Sequence, residues 1–355
     1  MSEKVLMKGN EAIGEAAIRA NCQCFFGYPI TPQTEVAAYM AKKMPLLNRV
    51  FLQAESEIAA INMVYGAAGT GVRCMTSSSS PGLSLKAEGI SYIAGAELPC
   101  LIINIVRGGP GLGGIQPAQS DYFQATKAPG HGDFNMPVYA PSSIQEMVDL
   151  IQEAFDVADQ YRTPVMVMGD GMLGQMMEPV EFKERSGRAL PEKTWAANGR
   201  NGRAQHNVIN SLFLKSDALE GHNRKLQEKF REIKKNEVRY ELMNTEDAEL
   251  ILVAYGTTAR ICKNVIKLAK AKGVNLGLIR PITLWPYPDQ AFEETLDKTK
   301  LGYLVVEMSE GQMVQDAKLA VNGRKPVHFY GRSGGMVPSP EEILNKVMEI
   351  RGGNQ

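Results

Sequence analysis

The chain has 355 residues, with lysine plus arginine totalling 39 and aspartate plus glutamate also 39, so its formal net charge is zero. A chain of this length buries enough apolar surface for a full core and suggests two domains, or three. The charge balance argues against a nucleic-acid-binding protein and removes the simplest electrostatic reason to sit on an anionic membrane.

The first half alternates strand-sized apolar runs with helical patterns. Glu11–Ala20 reads as a helix, Cys24–Gly27 as a strand, and Pro32 opens a helix through Met40. Strands follow at Val50–Gln53, Val72–Met75, Cys100–Val106 and Pro164–Met168. Helices are expected at Glu55–Ala68, Pro81–Ala94 and Ser142–Tyr161. Strands alternating with helices predict parallel βαβ units in an α/β layer fold. Between about 175 and 244 the alternation stops. Lys183–Arg203 is polar and aperiodic, a linker or extended arm, and Glu220–Glu241 reads as a charged, solvated helix. From Glu249 the pattern restarts, with strands at Leu250–Ala254, Val274–Ile279, Leu301–Val306 and Val327–Tyr330 and a closing helix at Pro340–Ile350. The expected organisation is therefore a first domain over 1–180, an arm with a charged helix over 181–245, and a smaller α/β domain over 246–355. No apolar run approaches the roughly 20 residues of a membrane helix, and the first residues lack a signal core, so a soluble cytoplasmic protein is expected.

Five scattered cysteines, Cys22, Cys24, Cys74, Cys100 and Cys262, form neither a disulfide framework nor a four-thiolate cluster site. Gly109-Pro110-Gly111-Leu112-Gly113-Gly114 fits G-x-G-x-x-G after a strand, but Pro117 and the aperiodic residues behind it deny the helix a dinucleotide site requires. It reads as a glycine-rich active-site loop. Gly169-Asp170-Gly171 with a distant Asn198 has the outline of a metal motif. The polar interval cannot supply the strand that would bring both to one ion, so Asp170 reads as a strand-end cap and no metal ligand is assigned.

Three strand ends carry the functional signal. Ile30-Thr31-Pro32 follows a strand at the sheet end where open α/β sheets bind ligands, although Thr31 would serve equally as an N-cap. Glu57 shares a helical face with Ala60, Ile61, Val64 and Ala68. It is either a buried carboxylate suited to proton exchange or a complement to the helix dipole. Arg107 ends the apolar strand 100–106 and offers a fork of donors suited to a carboxylate or phosphate, or to a structural ion pair. His131, in Gly130-His131-Gly132-Asp133, is a weaker loop candidate.

Taken together and in order, Tyr28-Pro29-Ile30-Thr31-Pro32, Glu55-Ser56-Glu57, Ser78-Ser79-Ser80-Pro81-Gly82 and Arg107-Gly108-Gly109-Pro110 resemble the alpha subunit of 2-oxoacid:ferredoxin oxidoreductases. Gly108–Asp121 and His131-Gly132-Asp133 look most like the 2-oxoisovalerate type. The resemblance implies a pyrimidine-type thiamine diphosphate-binding domain followed by a transketolase-C-terminal-like domain. It matches Glu57 to the glutamate that hydrogen-bonds N1′ of the aminopyrimidine. Ile30, Ser79 and Ser80 would lie beside the cofactor, and Thr31, Arg107 and His131 would contact the 2-oxoacid. It further implies a beta subunit carrying the diphosphate, Mg²⁺ and iron–sulfur clusters, gamma and ferredoxin-like delta subunits, and an oxidative decarboxylation using coenzyme A and ferredoxin. 2-Oxoglutarate or pyruvate are alternative substrates; the former needs a second cation, for which Lys127 or His131 could serve. A nicotinamide-dependent dehydrogenase and a non-catalytic assembly subunit are the readings from other classes.

Overall fold

The computed structural model describes residues 4–183 and 187–353. Its strands are β1 (Lys4–Lys8), β2 (Cys24–Gly27), β3 (Val50–Gln53), β4 (Cys74–Ser78), β5 (Cys100–Val106), β6 (Val138–Tyr139), β7 (Pro164–Asp170), β8 (Met177–Glu181), β9 (Tyr240–Met243), β10 (Leu250–Val253), β11 (Leu276–Pro281), β12 (Thr283–Trp285), β13 (Tyr303–Glu307) and β14 (Val327–Gly331). Among the described residues they form a sheet of order β12-β6-β7-β5-β4-β2-β3, a second of order β14-β13-β10-β11-β9, and the small pair β1-β8.

The first sheet is parallel from β6 to β3. Its central strand β5, Cys-Leu-Ile-Ile-Asn-Ile-Val, is buried throughout, the unbroken apolar run of a strand covered on both faces. Asn104 interrupts that run, and its side chain is spoken for at the site described below. One face is packed by helices Gly9–Arg19 and Ile144–Tyr161, the other by Glu57–Gly69 and Ser80–Gly95. The Ile144–Tyr161 helix begins where the sequence says it should. Ser143 Oγ accepts from Glu146 N at 3.1 Å, and Glu146 reaches back to Ser142 N at 2.7 Å.

Three features depart from the sequence expectation. The helix after Pro32 begins at Thr34, with Gln33 in the cap position, so Thr31 is not an N-cap. The Ser216–Asn236 helix is not wholly solvated. Leu226, Phe230 and Ile233, spaced along one stripe, are buried, and Phe230 meets Trp285 edge to face at 5.8 Å. Short strands without a strong apolar signature were not visible: β6, β9 and the β1-β8 pair depend on partners far away in sequence. The most consequential is β12. It follows three strands of the second sheet in the chain, yet pairs antiparallel with β6 at the edge of the first.

The two sheets meet along a polar seam. Gln119 donates from Nε2 to Tyr255 O at 2.9 Å and accepts at Oε1 from Met308 N at 3.0 Å. Tyr122 donates to Asp316 at 2.5 Å, and Arg280 pairs with Glu146 at 2.8 Å. No helix of the described residues is long and apolar enough to cross a membrane.

Candidate active site

The carboxyl ends of β2, β3, β4 and β5, with the segments that follow them, bring together Thr31, Glu57, Ser78–Ser80 and Arg107. Glu57 is the first residue of its helix, behind a Ser56 cap whose Oγ accepts from Ala59 N at 3.1 Å. Its side chain is buried, and its carboxylate accepts no hydrogen bond among the described residues. Gly82 sits against it: a methyl there would lie 2.6 Å from Glu57 Oε1 and 2.3 Å from Ser78 Oγ, so only glycine leaves the carboxylate its place.

Ser78 and Ser79 are fully buried, and neither hydroxyl has a partner. Buried polar atoms are nearly always paired, so two adjacent orphans beside an unpartnered carboxylate mark a place for a ligand. Arg107 is 7% exposed. It donates from Nη1 to Thr31 O at 2.9 Å and from Nη2 to Leu112 O at 3.2 Å, while Nε is buried without a partner. The strand-end arginine thus ties the β2 turn to the glycine loop and keeps a donor in reserve. Ile30 is half-buried and Thr31 exposed in that turn.

Two residues that hold this arrangement gave no signal in the sequence reading. Asp121 accepts from Ser80 Oγ at 2.7 Å and from Asn104 Nδ2 at 2.9 Å, while Ser80 Oγ accepts from Arg107 N at 3.1 Å. Burial raises the Asp121 carboxyl pKa above its usual range, partly offset by those two donors. Ser80 has φ of +21°, at the border of the region L residues avoid, and this network keeps it there. The signal that could have found them is an Asn within an otherwise apolar central strand, since such a group needs a buried partner.

The glycine loop is not a dinucleotide fingerprint. Gly108 N donates to Gln116 O at 3.0 Å and Gly114 N to Gly108 O at 2.9 Å, closing the loop on itself. Gly113 has φ of +60°, and a methyl there would lie 1.9 Å from Gly108 O. Asp170 caps the helix Gly171–Gln175 through Met172 N at 2.9 Å, whereas Asn198 is exposed and bonds to Asn201 and Arg203. The two do not converge. Among the described residues no group of three or more His, Cys, Asp or Glu could hold a metal.

His131 lies apart from this group within the chain. Its backbone carbonyl accepts from Ser91 Oγ at 2.6 Å, and its ring meets Tyr92 edge to face at 5.9 Å. Ser91 lies eleven residues beyond Ser80 on one helix, about 17 Å at 1.5 Å per residue. The helix therefore holds His131 at its far end, and this chain does not bring it to Arg107. Lys127 is also engaged elsewhere, in a 2.5 Å ion pair with Asp316 across the seam.

A family model described as pyruvate flavodoxin/ferredoxin oxidoreductase, thiamine diphosphate-binding, matches residues 15–242, and one described as pyruvate:ferredoxin oxidoreductase core domain II matches 248–343. The chain belongs to the 2-oxoacid:ferredoxin oxidoreductases. Ketoisovalerate oxidoreductase subunit VorB of Methanothermobacter thermautotrophicus is 48% identical over 98% of both chains. The 2-oxoglutarate synthase subunit KorA of the same organism is 35% identical over 99% of this chain and 100% of that one. Among solved structures, the 2-oxoglutarate:ferredoxin oxidoreductase from Magnetococcus marinus superposes with a TM-score of 0.86 at 26% identity, covering 98% of this chain and 65% of that one. A split-gene transketolase, at 14% identity and a TM-score of 0.60, shares the fold. This member of the oxidoreductase family therefore has the thiamine diphosphate-binding α/β domain and the second α/β domain that the ordered motifs implied.

Proposed function

We propose that this chain is the alpha subunit of a 2-oxoisovalerate:ferredoxin oxidoreductase and supplies the pyrimidine half of a thiamine diphosphate site. The observation that carries the reading is the cluster at one sheet end of three buried atoms without a partner among the described residues, the Ser78 and Ser79 hydroxyls and Arg107 Nε, beside the buried Glu57 side chain. They fit an aminopyrimidine and a 2-oxoacid, one needing a carboxylate and hydroxyls, the other a cation. Bound there, the cofactor would supply the electron sink for decarboxylating a 2-oxoacid.

The chain's own residues would do the rest. Glu57 would hold a proton against the ring nitrogen N1′. Ser78 to Ser80 would line the ring at the helix start, with Ile30 packing beside it. Arg107, aided by Thr31, would orient the substrate carboxylate. A beta subunit would complete the site with the diphosphate, Mg²⁺ and iron–sulfur clusters; gamma and delta subunits, coenzyme A and ferredoxin would take the acyl group and electrons onward. The branched-chain substrate is favoured over 2-oxoglutarate by the 48% identity to the ketoisovalerate subunit and by the engagement of Lys127 and His131, the two cations weighed for a distal carboxylate, away from the site.

The test is recovery of the tagged chain from oxygen-free extract, then coenzyme A-dependent viologen reduction with 2-oxoisovalerate, 2-oxoglutarate and pyruvate. The expected result is a partner-bearing, thiamine diphosphate-dependent activity highest with 2-oxoisovalerate, reduced about a thousandfold in Glu57→Gln. A lone chain that binds NAD and turns over without partners would overturn the proposal.

A further inference from the structure

The helices Glu57–Gly69 and Ser80–Gly95 meet at two glycines. Gly82 faces Glu57, and Gly89 faces Ile61, where a methyl would lie 2.4 Å from Ile61 Cγ2. Between the glycines, on the same face at the i+4 position, is Lys86. Its side chain is fully buried. Nζ donates to Thr76 Oγ1 at 2.8 Å and to Ser77 O at 3.1 Å, and no carboxylate lies within ion-pair distance among the described residues. Lysine is almost never buried without a paired charge, and an uncharged side chain would fill this slot at lower cost.

The charges on the surrounding elements narrow what Lys86 answers to. Asp121 is taken up by Ser80 and Asn104, and Arg107 by the Thr31 and Leu112 carbonyls. Asp170, at the end of β7, caps the following helix. Tyr65, on the Glu57 helix, is a neutral phenol whose pKa burial raises further. Glu57 is the one charged group acting on Lys86. Burial pulls the ammonium down to about 7 and the Glu57 carboxylate opposes that pull. We propose that Lys86 is a positioning residue for Glu57: its buried ammonium, one helical turn from the Gly82 that touches Glu57, is the counter-charge that holds the Glu57 carboxylate in place in the seam between the two helices.

This rests on the reading of Glu57 as the partner of the aminopyrimidine nitrogen. The Glu57 carboxylate would accept from a protonated ring nitrogen, and Lys86 would offset its charge without touching the ring. It follows that the two side chains act as a unit and that Lys86 matters only while it is charged.

The experiment is a calorimetric titration of the cofactor-depleted complex with thiamine diphosphate and Mg²⁺, at about pH 6 and about pH 8.5, for wild type, Lys86→Met, Glu57→Gln and the double variant. Lys86→Met is expected to weaken binding about tenfold at the lower pH and about twofold or less at the higher, because the wild-type ammonium has discharged there. In the Glu57→Gln background the same substitution is expected to change nothing. Thr76→Val, which removes an acceptor from Nζ, should act in the same direction by two- to threefold and serves where Lys86→Met fails to fold. A loss equal in both backgrounds, or equal at both pH values, would reduce Lys86 to packing and overturn the proposal. Wild-type affinity in Glu57→Gln itself would instead overturn the reading of Glu57.

Discussion

Glu57 and Glu307 make an instructive pair. Both are buried carboxylates at the point where a parallel strand gives way to a helix, one in each sheet. Glu307 ends β13 and is fully engaged, accepting from Met313 N and Val314 N at 3.0 Å each, Gln312 N at 3.2 Å and Ser309 Oγ at 2.9 Å. Burial raises its pKa, and those donors work against the rise. Glu57, in a comparable setting, accepts no hydrogen bond among the described residues. The same residue type at the same kind of junction is a structural cap in one sheet and a reserved group in the other, and the satisfaction of its oxygens tells them apart.

That contrast can be broken by substitution. The largest separation is between the loss of activity already given for Glu57→Gln and its melting temperature, which should fall by only a few degrees, because no hydrogen bond is lost and Lys86, deprived of its counter-charge, can release its proton. Arg107→Lys comes next. It keeps the charge but not the fork, and kcat/KM for the 2-oxoacid should fall about a hundredfold with most of the loss in KM. Glu307→Ala should do the reverse, costing ~3 kcal/mol of stability in denaturant unfolding by stranding a helix start, with activity per folded molecule retained.

A smaller, pH-dependent effect sharpens the comparison of buried charges. Lys86 has its folded pKa depressed to about 7 from 10.5, so between those values the unfolded chain holds the proton and the folded one does not. Wild-type stability should therefore rise with pH through that window, by up to about 1.4 kcal/mol per unit from this group. Lys86→Met should be more stable than wild type below pH 7, and its advantage should shrink as the pH approaches 10.5. Chemical denaturation of the isolated chain at several pH values measures the difference directly. The smallest effect is expected from His131→Ala, twofold or less in kcat/KM, because the helix carries that residue away from the site.

The sequence was most readable where chemistry and periodicity coincide. β5 could be placed to the residue because seven uncharged residues followed by Arg107 admit few other interpretations, and Glu57 stood out as a carboxylate on an apolar face. Asp121 was opaque, since its role depends on Asn104 and Ser80, seventeen and forty-one residues away. Lys86 was opaque for a similar reason: a lysine in a helix reads as surface until the neighbouring helix is known to bury it. The place of His131 was not legible either, because nothing in Gly130-His131-Gly132-Asp133 says which end of a neighbouring helix the loop packs against. The Ser216–Asn236 helix concealed its buried stripe beneath lysines and glutamates.

The pairing of β12 with β6 has a consequence for how the molecule can be divided. The two segments matched by separate family models look like interchangeable modules, but a chain cut between residues 242 and 248 would strip the first sheet of its outermost strand. Val138 and Tyr139 would then present open backbone at a raw edge, with Phe230 deprived of Trp285. Such an edge invites aggregation. Modular exchange between relatives therefore has to carry Thr283–Trp285 along with the first half, or accept an insoluble product.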